Sequence, residues 1–326
     1  MGIGCKKSAT ESNAVTPPVQ GWTVYTTASS PLPHNDVNAI AIDRNGVAWI
    51  GTYTGLARFD GTNWTIFNSS NSGLPFNDIS EIAIAGDGTK WIGVWGYGLV
   101  SYRDTTWTVF NTSNSGLTSN FIKTIALDPS GNLWIGTEFG TGLAKFDGTT
   151  WTRFSTSNSP LPHNNVLRIV FDMNGVMWLG TEGGAARFDG TNWTVYRTSN
   201  SGLSNNVVKS IAIDNQGTKW FGTHSGGVSR FDGSAWTTYN TGNSPLPHIN
   251  IWSVLVDANN VVWFGTWNGN TTTWEGRLVR FDGASWQVYS SSNYPGGDKM
   301  PYEQIMDDNG RHWIGTWGNG LIIRMR

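Results

Sequence analysis

The chain has 326 residues, with 21 Lys and Arg against 23 Asp and Glu, a formal net charge of −2 and 13% charged residues, which gives no electrostatic basis for capturing nucleic acid or an anionic membrane. No apolar run reaches the roughly eighteen residues of a membrane-spanning helix, and the single cysteine, Cys5, excludes an intrachain disulfide. The excess lies elsewhere, in 19 Trp and 41 Gly.

Residues 1–20, MGIGCKKSATESNAVTPPVQ, are polar and Pro-rich at their end, as a flexible leader or tether is. A lone Cys followed by a polar tether, with Gly4 before it, resembles the start of a mature bacterial lipoprotein, so Cys5 is a candidate lipidation site. Residues 21–326 are expected to form one domain.

That domain begins with WTVY, Trp22 to Tyr25, a short strand with nothing before it to pair with. VNAIAID (Val37 to Asp43) alternates apolar residues up to a turn, RNG; VAWIGT (Val47 to Thr52), GLARFD (Gly55 to Asp60) and WTIF (Trp64 to Phe67) follow. Alternation, β-branched and aromatic content, and Gly or Asn at the tips predict four strands joined by hairpins. A polar connection, NSSNSGLPFND, then leads into another copy.

The copies are regular. The Trp of W-T-x-F/Y, or of WQVY, stands at positions 22, 64, 107, 151, 193, 236 and 286, and a second Trp follows each by 27 residues, at 49, 91, 134, 178, 220, 263 and 313. Four antiparallel strands in about 42 residues are the signature of a propeller blade. A lone blade cannot bury its two faces; radial stacking covers them, with the paired tryptophans filling the space between blades. The chain ends on GLIIRMR, a third strand lacking a fourth. The expected fold is therefore an all-β, seven-bladed β-propeller of four-stranded blades, its ring closed by the strand Trp22–Tyr25 pairing with the C-terminal blade, which removes an open sheet edge.

The unit LPHNDVNAIAIDRNGVAWIGTYTGLARFDGTNWTIF resembles the two-component-regulator propeller repeat. The matching features are LPxNxV, I-x-x-D-x-x-G-x-x-W-I/L-G-T and G-L-x-x-F/Y-D-G-x-x-W. The resemblance runs from Trp22 to Arg326. The second copy departs from it with SYRDTTW, and the seventh has GGDK in place of LP-x-N. It implies a bacterial propeller of the kind that forms the extracytoplasmic, ligand-sensing part of hybrid sensor kinases responding to glycans. Such a chain is expected to be periplasmic or lipid-anchored, and to work with a membrane-bound signalling or uptake protein. No transmembrane segment, kinase or further β-domain is expected within this sequence.

Antiparallel pairing puts the loop between strands two and three on the same side as the interblade connection. The D-x-x-G and F-D-G-x-x-W turns lie on the other side and are nearly uniform, which fits a structural role. The residues after Gly-Thr, or Gly-Val in the second unit, vary instead: Tyr53, Trp95, Glu138, Glu182, His224, Trp267 and Trp317. With Phe139, and Trp274 in an insertion of the sixth unit, they are the candidate ligand-binding residues on one rim. Aromatic rings can stack on sugar faces and carboxylates can accept hydroxyl hydrogen bonds. Exposed aromatic clusters mark interaction sites.

His34, His163 and His248 share one repeat position on separate connections, so they are expected to be turn residues or rim contacts, with no metal and no cofactor. Glu138, Glu182 and His224 come from consecutive blades and are the weak catalytic candidates of a lyase or hydrolase reading. The expected function is recognition of a small-molecule or glycan ligand; the alternatives are a protein-interaction scaffold and an enzyme.

Overall fold

The computed structural model describes residues 21–269 and 275–325; Cys5, residues 1–20 and Trp274 lie outside the described residues. Twenty-eight strands, among the described residues, form seven four-stranded antiparallel sheets. Blade 1 consists of Val37–Ile42, Ala48–Thr52, Gly55–Phe59 and Trp64–Phe67. Blades 2 to 6 repeat this order, with first strands Ile79–Ile84, Ile122–Leu127, Val166–Phe171, Val208–Ile213 and Asn250–Val256. Blade 7 takes Pro301–Met306, His312–Thr316 and Leu321–Arg324 from the end of the chain. Its fourth strand is Trp22–Tyr25, in antiparallel register Trp22 to Arg324 and Tyr25 to Leu321. The ring is closed as the unpaired end fragments require.

First strands pack against first strands around the ring, blade 7 against blade 1 included, so they surround the axis. The second strands are buried along their length in five blades, and in blades 2 and 5 all but their first residues are buried. Their invariant Gly is needed for close approach. A Cβ on Gly51 would lie 2.5 Å from Ile79 of blade 2, and one on Gly315 would lie 2.7 Å from Val37 of blade 1. Removing the side chain there lets each blade seat under the next.

The Trp six residues after the D-x-x-G aspartate is buried at the blade interface in six of the seven units, all but the second. Trp49 packs with Ile79, Ile82 and Val100 of blade 2, and Trp313 with Ile40 and Phe59 of blade 1. The spacing has a chemical cause. Asp128 Oδ2 accepts the indole N–H of Trp134 at 3.0 Å, and Asp307 that of Trp313 at 3.0 Å, while the other carboxylate oxygen caps the turn. The other Trp of each pair is half-buried on the outermost strand. Trp107 stacks on Tyr102 at 4.0 Å and meets Phe67 of blade 1 at 5.6 Å, and the preceding connection crosses it at Gly73, where a Cβ would come within 2.3 Å. No helix of the described residues is long and apolar enough to cross a membrane, which says nothing of strands.

Candidate functional site

Backbone hydrogen bonds place the residues after Gly-Thr on one rim. The Trp95 N–H donates to Asp78 O, Glu138 to Phe121 O, His224 to Val207 O and Trp317 to Met300 O, at 2.9 to 3.1 Å. Each bond ties the loop between strands two and three to the connection entering the same blade. Since the first strands surround the axis, these loops meet around a mouth.

A second column of residues reaches the same region. Every first strand carries a register shift one or two residues from its start, as between Val37 and Ala39 or between Pro301 and Glu303. Such a bulge leaves one residue unpaired and re-aims it. Here it is Asn38, Ser80, Lys123, Leu167, Lys209, Trp252 or Tyr302, and all seven line the axial well. Sequence reading did not single them out. A signal existed: this position varies from copy to copy directly after an apolar residue, but a strand read as simple alternation gives it no special direction.

The bulge residues form a connected cluster. Lys123 Nζ donates to the Tyr302 hydroxyl at 3.3 Å and lies 5.8 Å from the Trp252 ring, which Lys209 Nζ approaches to 5.2 Å. Tyr302 stacks on Trp317 at 5.4 Å, and Trp252 meets Trp267 edge-on at 6.3 Å. Burial opposes the Lys123 charge, but Tyr302 and the Glu138 and Glu81 carboxylates hold its pKa above the ordinary lysine value. Burial lowers that of Lys209, with Lys123 adding repulsion.

One layer deeper, Arg168 lies 3.5 Å from Glu303 and 3.8 Å from Glu81. Burial raises both glutamates, and the Glu303 charge raises Glu81 further. A cavity of about 40 Å³ remains among these side chains and the bulge residues, so the charged layer forms the floor beneath the mouth.

Above it, a cavity of about 520 Å³ opens across four blades. Tyr302 and Trp317 come from blade 7; His34, Asp36 and Tyr53 from blade 1; Asp78, Ser80 and Trp95 from blade 2; Lys123 from blade 3. Three of the rim candidates, Tyr53, Trp95 and Trp317, thus share one cavity. Asp78 is half-buried there, and desolvation pushes its pKa up to about 6.

The remaining candidates sit elsewhere on the rim. Phe139 is 65% exposed and touches Phe121 at 4.7 Å and Trp95 at 6.0 Å. Glu182 accepts a hydrogen bond from Asn165 Nδ2 at 2.6 Å. His224 faces Trp267 at 6.5 Å, and its pKa is lowered by burial and then by Lys209. Trp267 is buried. Among the described residues, no hydrogen bond joins any two of Glu138, Glu182 and His224. The three connection histidines stay apart: His34 Nδ1 accepts the Asp36 N–H, His163 Nδ1 that of Asn165, and His248 Nδ1 lies 3.1 Å from Thr266 Oγ1. A separate cavity of about 540 Å³, bordered by Trp263, Arg280, Asp307 and Arg324, lies at the D-x-x-G turns of blades 6 and 7, away from the mouth.

The sequence pattern of the two component regulator propeller matches residues 31–54, 116–139, 160–183 and 245–268. Each match spans an interblade connection, the first two strands and a residue after Gly-Thr. No curated protein matches the chain by sequence. Solved structures resemble it in fold. The extracellular domain of a chain assigned to the hybrid two-component systems of B. thetaiotaomicron superimposes with a TM-score of 0.70 at 22% identity, over 89% of this chain and 40% of that one. This chain therefore spans about two fifths of that relative's length. A catalytically inactive virginiamycin B lyase from Staphylococcus aureus, solved with quinupristin, gives 0.73 at 12% identity over 94% of this chain and 99% of that one. PorZ, a surface component of the type-IX secretion system of Porphyromonas gingivalis, gives 0.70 at 20% identity over 90% and 46%. These identities carry the fold and no further. The chain is a seven-bladed β-propeller, four stretches of which match the two component regulator propeller repeat.

Proposed function

We propose that this propeller is an extracytoplasmic ligand-binding and sensing module that takes a carbohydrate at its mouth. One observation carries the reading: the 520 Å³ cavity in which Tyr53, Trp95, Tyr302 and Trp317 stand beside Asp36, Asp78 and Lys123. Concave sites with aromatic walls and a few polar groups are where small ligands bind. Flat rings offer stacking surfaces to the apolar faces of a sugar, and the carboxylates offer acceptors to its hydroxyls. Glu138, Phe139, Glu182 and His224 extend the rim for a longer ligand, with the buried Trp267 behind His224. An extracellular domain of a two-component system shares the fold, and the repeat that this chain matches is one of two component regulators; both support sensing outside the cytoplasm together with a membrane-bound signalling partner.

The test is a binding screen of the purified chain against a glycan panel, followed by Trp95→Ala plus Trp317→Ala. Loss of at least tenfold in affinity, with melting retained, is the expected result; silence across the panel defeats the carbohydrate reading. A protein partner is the second reading, favoured by Phe76 and Tyr97. These rings stack at 4.8 Å while each stays close to half exposed. A glycan-silent protein that co-purifies with a partner through Phe76 and Tyr97 would support it.

A further inference from the structure

Asp78 and Ser80 both line the mouth cavity where the chain enters blade 2. Among the described residues, the half-buried Asp78 carboxylate has no hydrogen bond or ion pair. The Ser80 hydroxyl is out of solvent and has no hydrogen-bond partner. A hydroxyl out of solvent is also out of a ligand's reach, whereas the partly exposed Asp78 carboxylate presents its acceptors to whatever fills the cavity.

The surroundings favour a charged donor over a neutral one. Trp95, Trp317, Tyr53 and Tyr302 wall the cavity, and the negative face of an aromatic ring attracts cations. Asp36 adds a second carboxylate, with His34 Nδ1 at 3.5 Å. Lys123 is the one lysine on the cavity, and its charge is already engaged by the Tyr302 hydroxyl and the Glu138 and Glu81 carboxylates. The cavity thus offers carboxylates and aromatic faces to a ligand.

We infer that, given a ligand site at the mouth as proposed above, this cavity takes an ammonium group of the ligand, which donates to the Asp78 carboxylate while its carbon frame lies against Trp95 and Trp317. The amine belongs either to an amino sugar within a glycan or to a small free primary amine. An ammonium has three donors and no acceptor, which suits a carboxylate that takes no donor from the protein.

Calorimetric titration of the full chain separates the possibilities. The probes are glucosamine oligomers of two to six units, their N-acetylated counterparts, glucose oligomers of the same lengths, and phenethylamine as the free amine. The expected result is that glucosamine oligomers bind at least tenfold more tightly than the acetylated forms. Asp78→Asn should erase that preference, with the melting temperature unchanged or raised. Equal affinity for amine and N-acetyl forms, or a preference that survives Asp78→Asn, overturns the inference and leaves the mouth as a glycan site. Binding of phenethylamine, lost in Asp78→Asn and unaccompanied by any glycan, supports the ammonium site and overturns the carbohydrate reading. Silence toward every probe overturns the ammonium site, and the wider glycan panel then decides the carbohydrate reading separately.

Discussion

The ring of Tyr302 lies 5.4 Å from that of Trp317 with only 6° between their planes. One comes from a first-strand bulge and the other from the loop between strands two and three, so two variable columns of the repeat meet in one surface. Tyr302 also receives the Lys123 hydrogen bond. Tyr302→Ala should weaken ligand binding at least tenfold, about 1.4 kcal/mol. Trp267→Ala acts differently: Trp267 is buried and off the cavity. It should lower stability by about 3 kcal/mol while changing affinity less than Tyr302→Ala. Paired denaturation and titration of the two variants checks the ordering, and a larger affinity loss from Trp267→Ala would place the ligand elsewhere on the rim.

The aspartate-to-indole bond predicts a different kind of effect. Burial opposes the charge on Asp128, yet hydrogen bonds from Trp134, Asn132 and Ser130 hold its pKa below the usual carboxylate range. Asp128→Ala leaves the indole N–H and the turn amides without their acceptor, at a cost of about 2 kcal/mol. Blade 2 carries Ala85 at the corresponding position, six residues before Trp91, and Trp91 is half-buried where its counterparts Trp49 and Trp313 are buried. Ala85→Asp should therefore stabilise by about 1 kcal/mol. Urea denaturation of both variants reads the two signs, and destabilisation by Ala85→Asp would mean that the neighbouring groups cannot accept the charge.

Much of this architecture is written in the repeat. The incomplete ends, WTVY and GLIIRMR, declare their pairing because each lacks what the other has. Tyr53, Trp95 and Trp317 are visible as the changed letters in a constant frame. Lys123, Trp252 and Tyr302 are not, because a bulge is set by backbone register, and letters within a strand carry no mark of it. Asp78 was hidden for another reason. In its connection it reads as a turn residue. Its desolvation comes from its place in a cavity shared with Trp95 of its own blade and Trp317 of blade 7, neighbours that only ring closure supplies. The ion cluster of Glu81, Arg168 and Glu303 likewise draws on three blades and exists only around the axis.

The glycine of the second strand predicts asymmetry between sites of equal chemistry. A Cβ on Gly136 would stand 2.6 Å from Thr124 Cγ2 and 2.9 Å from the Val166 backbone oxygen, which cannot swing aside. Gly136→Ala should cost about 3 kcal/mol through forced separation of blades 3 and 4. Gly86→Ala meets only the far end of the Arg44 side chain, at 3.3 Å, and should be neutral or slightly stabilising. Melting temperatures of the two variants give the contrast; similar values would show that the blade interface yields easily.

Asp78 and the F-D-G-x-x-W aspartates give the stability curve opposite slopes in neighbouring pH ranges. Asp78 has a folded pKa of about 6, raised from 3.8 by burial. The folded state therefore holds its proton longer than the unfolded state does. The resulting stability is present below about pH 4 and disappears as pH rises through about 6. Asp78→Asn should thus stabilise above pH 6, by about 1 kcal/mol after allowance for solvent screening of a partly exposed group. It should change little below pH 4. The turn aspartates act the other way. Asp189, Asp232 and Asp282 are held at about 2, chiefly by backbone N–H groups of their own turns. Their contribution is present above the unfolded pKa near 4 and is lost as pH falls through 2. In Asp189→Ala the deficit relative to the parent should therefore be constant above pH 4 and shrink from pH 4 to pH 2. Urea midpoints from pH 2 to pH 8 for the two variants and the parent follow both effects. A stabilisation by Asp78→Asn that persists unchanged at pH 3 would show that its carboxyl is not desolvated in the mouth.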